Sequence, residues 1–284
     1  MSSFFFLSAL FSVFAPLPLL IFYLRSSLPL LIAAIVSNTI VVGLLSGLWS
    51  AALFAVLVGI TTMAIAYGMV QKRLSLEKTI GYALILIIGI LGGLSYAMLV
   101  EKDSTWVMSI RETFYEVSKQ VHELAQKSGG EWVDIPLGDF QKDLLSEVPA
   151  SFAIVVLIVM WINVSILLSL NPRNIRKWLG MDARYFRRWR APEFLVWPTI
   201  LFGAASIWGQ GWVGSFSIGI LKFLLTIYAL QGISVLAFFL DRLKIFGFLR
   251  SLIYLAVLLA MSPLIVGVGF FDLWFDFRSK FRQT

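Results

Sequence analysis

The sequence predicts an all-α, polytopic membrane protein: a bundle of about eight transmembrane helices with a helical extramembrane insert. Three observations carry this. First, 59% of the 284 residues are hydrophobic and only 14% are charged, where a soluble domain carries roughly 25% charged residues. Second, the apolar residues come in runs of about 20, the length that crosses roughly 30 Å of hydrocarbon. Third, the cations gather between those runs, above all in Asn171–Glu193. There Arg173, Arg176, Lys177, Arg184, Arg187, Arg188 and Arg190 are set against only Asp182 and Glu193.

The elements follow in order. Phe4–Leu24 is apolar, with no positive n-region and no small-x-small cleavage site, so it reads as a retained helix kinked near Pro16 and Pro18. Leu28–Val70 runs for 43 residues without a charge. That is ~65 Å of helix, about twice the hydrocarbon thickness, so the run must turn back once. Ser46-Gly47-Leu48-Trp49-Ser50 is the expected turn. Thr79–Val100 is the fourth span, and Pro149–Leu170 the fifth. Phe194–Trp208 and Gly214–Leu240 follow, separated by Trp208-Gly209-Gln210-Gly211-Trp212, and Gly247–Phe271 is the last. The chain thus divides into an N-terminal membrane half (1–100), an insert (101–148) and a C-terminal membrane half (149–284).

Lys and Arg near membrane spans are retained on the cytoplasmic side, so loop 171–193 marks the inside of a bacterial cytoplasmic membrane. By parity Arg25, Lys72, Arg73, Lys78, Arg242 and Lys244 fall on that side, and insert 101–148 outside. Eight spans put the tail outside with Arg278, Lys280 and Arg282, which disobeys the rule. Inside the insert, Val107, Ile110, Phe114, Val117, Val121 and Leu124 form an apolar helical stripe. Asp103 or Ser104 could cap its start, and Gly129-Gly130 ends it. A second short helix is expected over Asp139–Val148. His122, the one histidine, falls off the stripe and reads as a surface residue.

The chemical inventory is thin. The sequence has no cysteine, no GxSxG, no HExxH and no Walker A. One histidine leaves a transition metal almost no ligands, so no metal and no cofactor is expected. Nor is an enzyme, because candidate acid and base groups sit at span ends. Within the spans, Lys222 lies about eight residues into its helix, roughly 12 Å from the outer end. It either snorkels to the headgroups or faces the bundle and holds an anionic ligand or a carboxylate. Asn38, Asn163 and Gln231 need partners in the bundle, as interhelical hydrogen bonds or as ligand contacts. Asp272 and Asp276 are four apart; either they form a carboxylate pair, with Lys280 available to Asp276, or they flank an aromatic anchor around Trp274. Loop 171–193 interleaves cations with Trp178, Leu179, Tyr185, Phe186 and Trp189. That mixture suits a helix at the level of anionic headgroups, or a docking surface for a protein partner, rather than nucleic acid.

Gly269-Phe270-Phe271-Asp272-Leu273-Trp274-Phe275-Asp276-Phe277-Arg278, after a span containing Pro263, resembles the closing signature of the YybS-like (DUF2232) bacterial membrane proteins. Gln231-Gly232 is similar to that family's pattern too. The resemblance implies a multi-pass protein similar to the substrate-binding S-components of energy-coupling-factor transporters. Such components bind a small molecule in the membrane and depend on a separate ATPase module. The signature residues are Asp272, Trp274, Asp276 and Arg278; the resemblance assigns them no role. Eight spans exceed the six usual for S-components, and the first helix lacks an Ala-x-x-x-Ala docking series. The expected function is therefore binding or translocation of a small molecule with a separate energising partner. The alternative is a scaffold that recruits partners without transport.

Overall fold

The computed structural model describes residues 2–7, 12–100, 104–127, 136–170, 179, 181, 185–260 and 262–280. The fold is all-α. Its helices are α1 (Ser2–Leu7), α2 (Pro16–Tyr23), α3 (Leu28–Gln71), α4 (Leu76–Val100), α5 (Thr105–Lys127) and α6 (Leu137–Leu170). They continue as α7 (Val196–Trp208), α8 (Trp212–Arg242), α9 (Phe248–Ala260) and α10 (Ser262–Phe275). Among the described residues α3, α6 and α8 are long and apolar enough to cross a membrane. Large apolar side chains point outward: Leu44 is 82% exposed, Leu48 81% and Trp197 75%. Such a surface is stable against lipid and a liability in water.

The 44-residue α3 is a hairpin. Gly47 has φ 86° and ψ 171°, a conformation open to glycine, and it breaks the helix there. A Cβ on Gly43 would lie 3.3 Å from that of Ala51, and one on Gly59 3.2 Å from Ile35. Both pairs are symmetric about Gly47, as an antiparallel return requires.

The first apolar segment is not one kinked helix. It breaks into α1, a tight turn at Ser12–Phe14, and α2. Pro16 opens α2, where its missing N–H has no intrahelical partner to lose. By contrast α6 runs unbroken through Pro149, joining the expected short helix to the fifth span. The carbonyl that Pro149 leaves free belongs to Leu145, a residue 55% exposed.

The insert also differs from its expected face. α5 packs on the start of α6, with Gln141 donating to the Ser118 hydroxyl at 2.7 Å and the His122 ring 5.0 Å from that of Phe140. His122 is buried, not a surface residue, and Val107 and Ser118 are buried with it. Val117, Val121 and Leu124 face outward. The partner helix selected the contact face: the imidazole packs, tilted by 49°, against the Phe140 ring where an aliphatic chain was expected. Asp103, Gly129 and Gly130, and the Ile110 side chain, lie outside the described residues.

The last apolar run splits as well, into α9 and α10, of 13 and 14 residues. Each is ~20 Å long, short of a full crossing. Pro263 sits in the first turn of α10, where a proline starts a helix more readily than it continues one. As a result α10 returns toward the face that α9 left, and its end meets residues 187–191 of the basic loop. The tail therefore shares a face with the basic loop, not the opposite one.

α8 is the central helix, packed by α6, α7 and α10. Its crossing with α10 is set by two glycines. A Cβ on Gly232 would fall 2.1 Å from the Ile265 carbonyl oxygen, and one on Gly269 1.9 Å from that of Tyr228. The backbones touch, so no side chain fits between them.

Gly232→Ala and Gly269→Ala are each expected to destabilise the protein by about 1–3 kcal/mol or more through forced separation of the helices. Gly267→Ala, with nothing within 4 Å of the added Cβ, is the control and should be near neutral. Thermal unfolding in detergent, followed by tryptophan fluorescence, checks this; equal midpoints for all three would refute the contact.

Candidate functional site

The glycine crossing places Gln231 of α8 beside Asp272 of α10. After Phe275 the chain reverses at Asp276, whose φ is +40°, and Arg278 returns over the end of α10. Arg278 Nη2 donates to Asp272 Oδ2 at 2.5 Å, with side chains 5% and 0% exposed. Gln231 Nε2 donates to the same oxygen at 3.2 Å, and Gln231 Oε1 accepts the Ala191 N–H at 3.0 Å. Arg278 Nη1 donates to the carbonyls of Arg187 and Trp189 at 3.2 and 3.0 Å. Residues 187–191 thus form a strap laid along α8 and fastened by one ion pair. Removing either charge alone would leave the other buried, a loss of about 3–5 kcal/mol. The carboxylate is an anchor through Oδ2, while Asp272 Oδ1 and Arg278 Nε are buried without a hydrogen-bond partner.

Acids from other elements fasten the rest of the strap. Glu77, at the start of α4, accepts the Trp189 indole N–H at 2.7 Å and the Tyr185 hydroxyl at 3.0 Å. Burial pushes the Glu77 carboxyl up, but its own backbone N–H, Ser75, Trp189 and Tyr185 outweigh that, and the group titrates below the ordinary carboxylate range. Burial, then the Glu77 charge, raises the Tyr185 phenol well above its usual value. Arg187 pairs with Asp241, Arg190 with Asp276. Asp241 also holds Arg250 of α9 at 2.5 Å, and Arg250 Nη2 donates to the Tyr254 hydroxyl at 2.9 Å. Arg188 is exposed and, among the described residues, has no acidic partner. Of the cations assigned to lipid or partner contact, Arg187 and Arg190 are therefore spent on internal pairs. Arg173, Arg176, Lys177 and Arg184 lie outside the described residues.

Two cavities adjoin the strap. The larger, about 800 Å³ and half-open, lies between α6, α8 and α9, with Trp161, Leu230 and Ile233 on its walls and Arg187, Arg250 and Tyr254 among its polar lining. The smaller, about 220 Å³, is lined by Arg187, Arg188, Arg190, Arg278 and Asp276.

The polar residues singled out within the spans sit elsewhere. Lys222 pairs with Glu147 of α6, both about half exposed. Asn38 accepts from the Ser3 hydroxyl at 2.6 Å and donates to Ala34, tying α1 to α3. Asn163 donates to the Val13 carbonyl at 2.8 Å and secures the turn before α2. Gln231 belongs to the strap anchor. None of the four lines the larger cavity. Asp272 and Asp276 hold different arginines and do not act as a pair; the Asp276 carboxylate goes to Arg190. Trp274 is 56% exposed and packs edge-on against Phe270 at 4.9 Å, as an anchoring ring would. Arg250 and Tyr254 are the functional candidates that sequence reasoning missed. The available signal was a lone arginine three residues into an apolar run.

Because the folded Glu77 titrates low, its contribution is full above the unfolded carboxylate range and is lost as pH falls through the folded value. Glu77→Gln should cost about 1 kcal/mol at pH 7, discounted for its partial exposure. The gap to wild type should close below about pH 4. Thermal unfolding of both proteins across pH 3–7 checks this, and a gap independent of pH would rule the charge out.

No curated protein and no solved structure matches the chain. A family profile described as "Predicted membrane protein (DUF2232)" matches residues 3–273, which takes in Gln231, Gly232, Gly269 and Asp272 and stops short of Asp276 and Arg278. On that match the chain belongs to the DUF2232 family of membrane proteins.

Proposed function

We propose that this is a multi-pass protein of the bacterial cytoplasmic membrane that binds or moves a small molecule and relies on a separate protein for energy. The observation that carries the reading is the cavity of about 800 Å³ between α6, α8 and α9. Its volume lies in the usual range for small-molecule sites, roughly 300–1,000 Å³. The broken segments around it support the same reading. α7, α9 and α10 are all short, and residues 189–192, between the helical turn Tyr185–Arg188 and α7, are non-helical at the level of Gln231. Irregular backbone at membrane depth is tolerated only where protein buries it or a cavity needs it, and carriers use such breaks at their sites. The resemblance to S-components supports an external energy source, as does the missing Walker A. A binder rather than an enzyme is favoured because Asp272 and Asp276 are committed to arginines.

The second reading, a scaffold without transport, draws on one observation. Val117, Val121 and Leu124 turn an apolar face of α5 outward, available to a protein partner or to the membrane interface.

Orientation is part of the proposal. With the described end of the tail on the same face as the strap, Arg278 joins the other basic loops instead of opposing them. Every short basic segment then lies on one side, taken as cytoplasmic, with the insert outside and anionic headgroups against the basic face.

Reporter fusions after Arg190 and after Thr284 should both report the cytoplasm; opposite sides would refute the shared face. Thermal-shift screening of the purified protein against small metabolites and lipids should find a stabilising compound. That effect should disappear in Ala229→Trp, which fills the cavity. No stabilisation by any compound, together with co-purification of a stable protein partner, would favour the scaffold instead.

A further inference from the structure

We infer that the larger cavity takes an anionic amphiphile, with its acidic head at Arg187 and Arg250 and its hydrocarbon chain between α6 and α8. This rests on the reading of that cavity as a ligand site. The walls specify the chain. The lining runs from Ile158 to Ser169 on α6 and from Thr226 to Ala237 on α8. Eleven residues of rise on each helix give a slot ~16 Å long. Three of its four serine and threonine hydroxyls are turned to their own helices: Ser169 donates to Ile166, Thr226 to Lys222, and Ser234 to Leu230. Ser165 and the Trp161 indole N–H are the donors left along the slot. A sugar, nucleotide or polar vitamin needs several directional donors, and two along ~16 Å of slot are few for it. Hydrocarbon needs none.

One end specifies the head. Arg187 and Arg250 both pair with Asp241, which lies four residues beyond Ala237 on α8. Two guanidiniums against one carboxylate leave a single positive charge at that end of the slot. Arg250 gives one nitrogen to Asp241 and two to the Tyr254 hydroxyl, so not all of its five N–H groups are used. A carboxylate or phosphate placed there would complete the neutralisation and accept forked hydrogen bonds, while a choline or ammonium head would be repelled. The entrance suits a ligand that arrives from the bilayer. α9 supplies Arg250 and Tyr254 to the cavity and presents Phe248, Leu249 and Leu255 outward, each more than half exposed. Two sources share this chemistry: a single-chain carboxylate and a bilayer phospholipid with an anionic head.

The full chain is tested in two arms. In detergent, the thermal shift from dodecanoate is compared with dodecanol and dodecyltrimethylammonium. In nanodiscs, retention of phosphatidylglycerol is compared with phosphatidylcholine by native mass spectrometry. The expected result is selective binding of the anion in at least one arm, which also identifies the source. Ala229→Trp should abolish it. Arg250→Gln should weaken it roughly 10- to 100-fold, with partial recovery in Arg250→Lys. Because Arg250→Gln also disturbs Asp241, the headgroup comparison on the unmutated protein stands as an independent readout. Equal binding of anionic, neutral and cationic chains would overturn the headgroup assignment and leave the cavity a ligand site. Binding of none of them, with a polar compound from the metabolite screen blocked by Ala229→Trp, would overturn the inference alone. Binding of none, with no stabilising compound at all, would overturn both.

Discussion

The contact of α8 with α10 at Gly232 and Gly269 is the constraint on which the C-terminal half depends. Within a membrane, helices gain little from burying apolar surface, because lipid is equally apolar; close packing and polar contacts must hold them instead. The two glycines bring the backbones together, and Gln231 and Asp272 flank that point. Distance is the deciding quantity. A hydrogen bond of 3.2 Å between these side chains would not survive the separation that one added methyl group on each helix demands. The anchor of the strap, and the position of Arg187 at the cavity, follow from the crossing.

Electrostatics distribute in the same economical way. The chain has 16 acidic residues, and five of those described near the membrane region hold the structure together. Glu77, Asp241, Asp272 and Asp276 fasten the strap and tail, while Glu147 holds Lys222. A basic segment that reads in sequence as a surface for headgroups is, in its described part, mostly an internal joint. Only Arg188 keeps its charge uncommitted among the described cations of the strap.

Class and hairpin were legible because hydropathy and length alone decide them: a 43-residue uncharged run admits few other solutions. The break before α10 was not, since Pro263 interrupts hydrogen bonding without interrupting hydropathy. His122 was misplaced because periodicity ranks faces by apolarity, whereas Phe140 and Gln141 chose the face that carried Ser118 and His122. Gln231 and Asp272 were both singled out, yet nothing in sequence joins residues 41 apart. Arg250 was passed over because a charge near a helix end has an easy route to water; only the fold shows Asp241 and Tyr254 holding it inward.

The strap also has a consequence in time. Arg278 reaches back 89 residues to the Trp189 carbonyl it secures. At synthesis rates of roughly 5–20 residues per second, the strap emerges several seconds before its fastener exists. During that interval Asp272 is not yet made and the Trp189 and Arg187 carbonyls have no donor from the tail. The newly inserted α8 must therefore wait with one flank open, and the insertion machinery or the lipid itself is what such a flank would meet first.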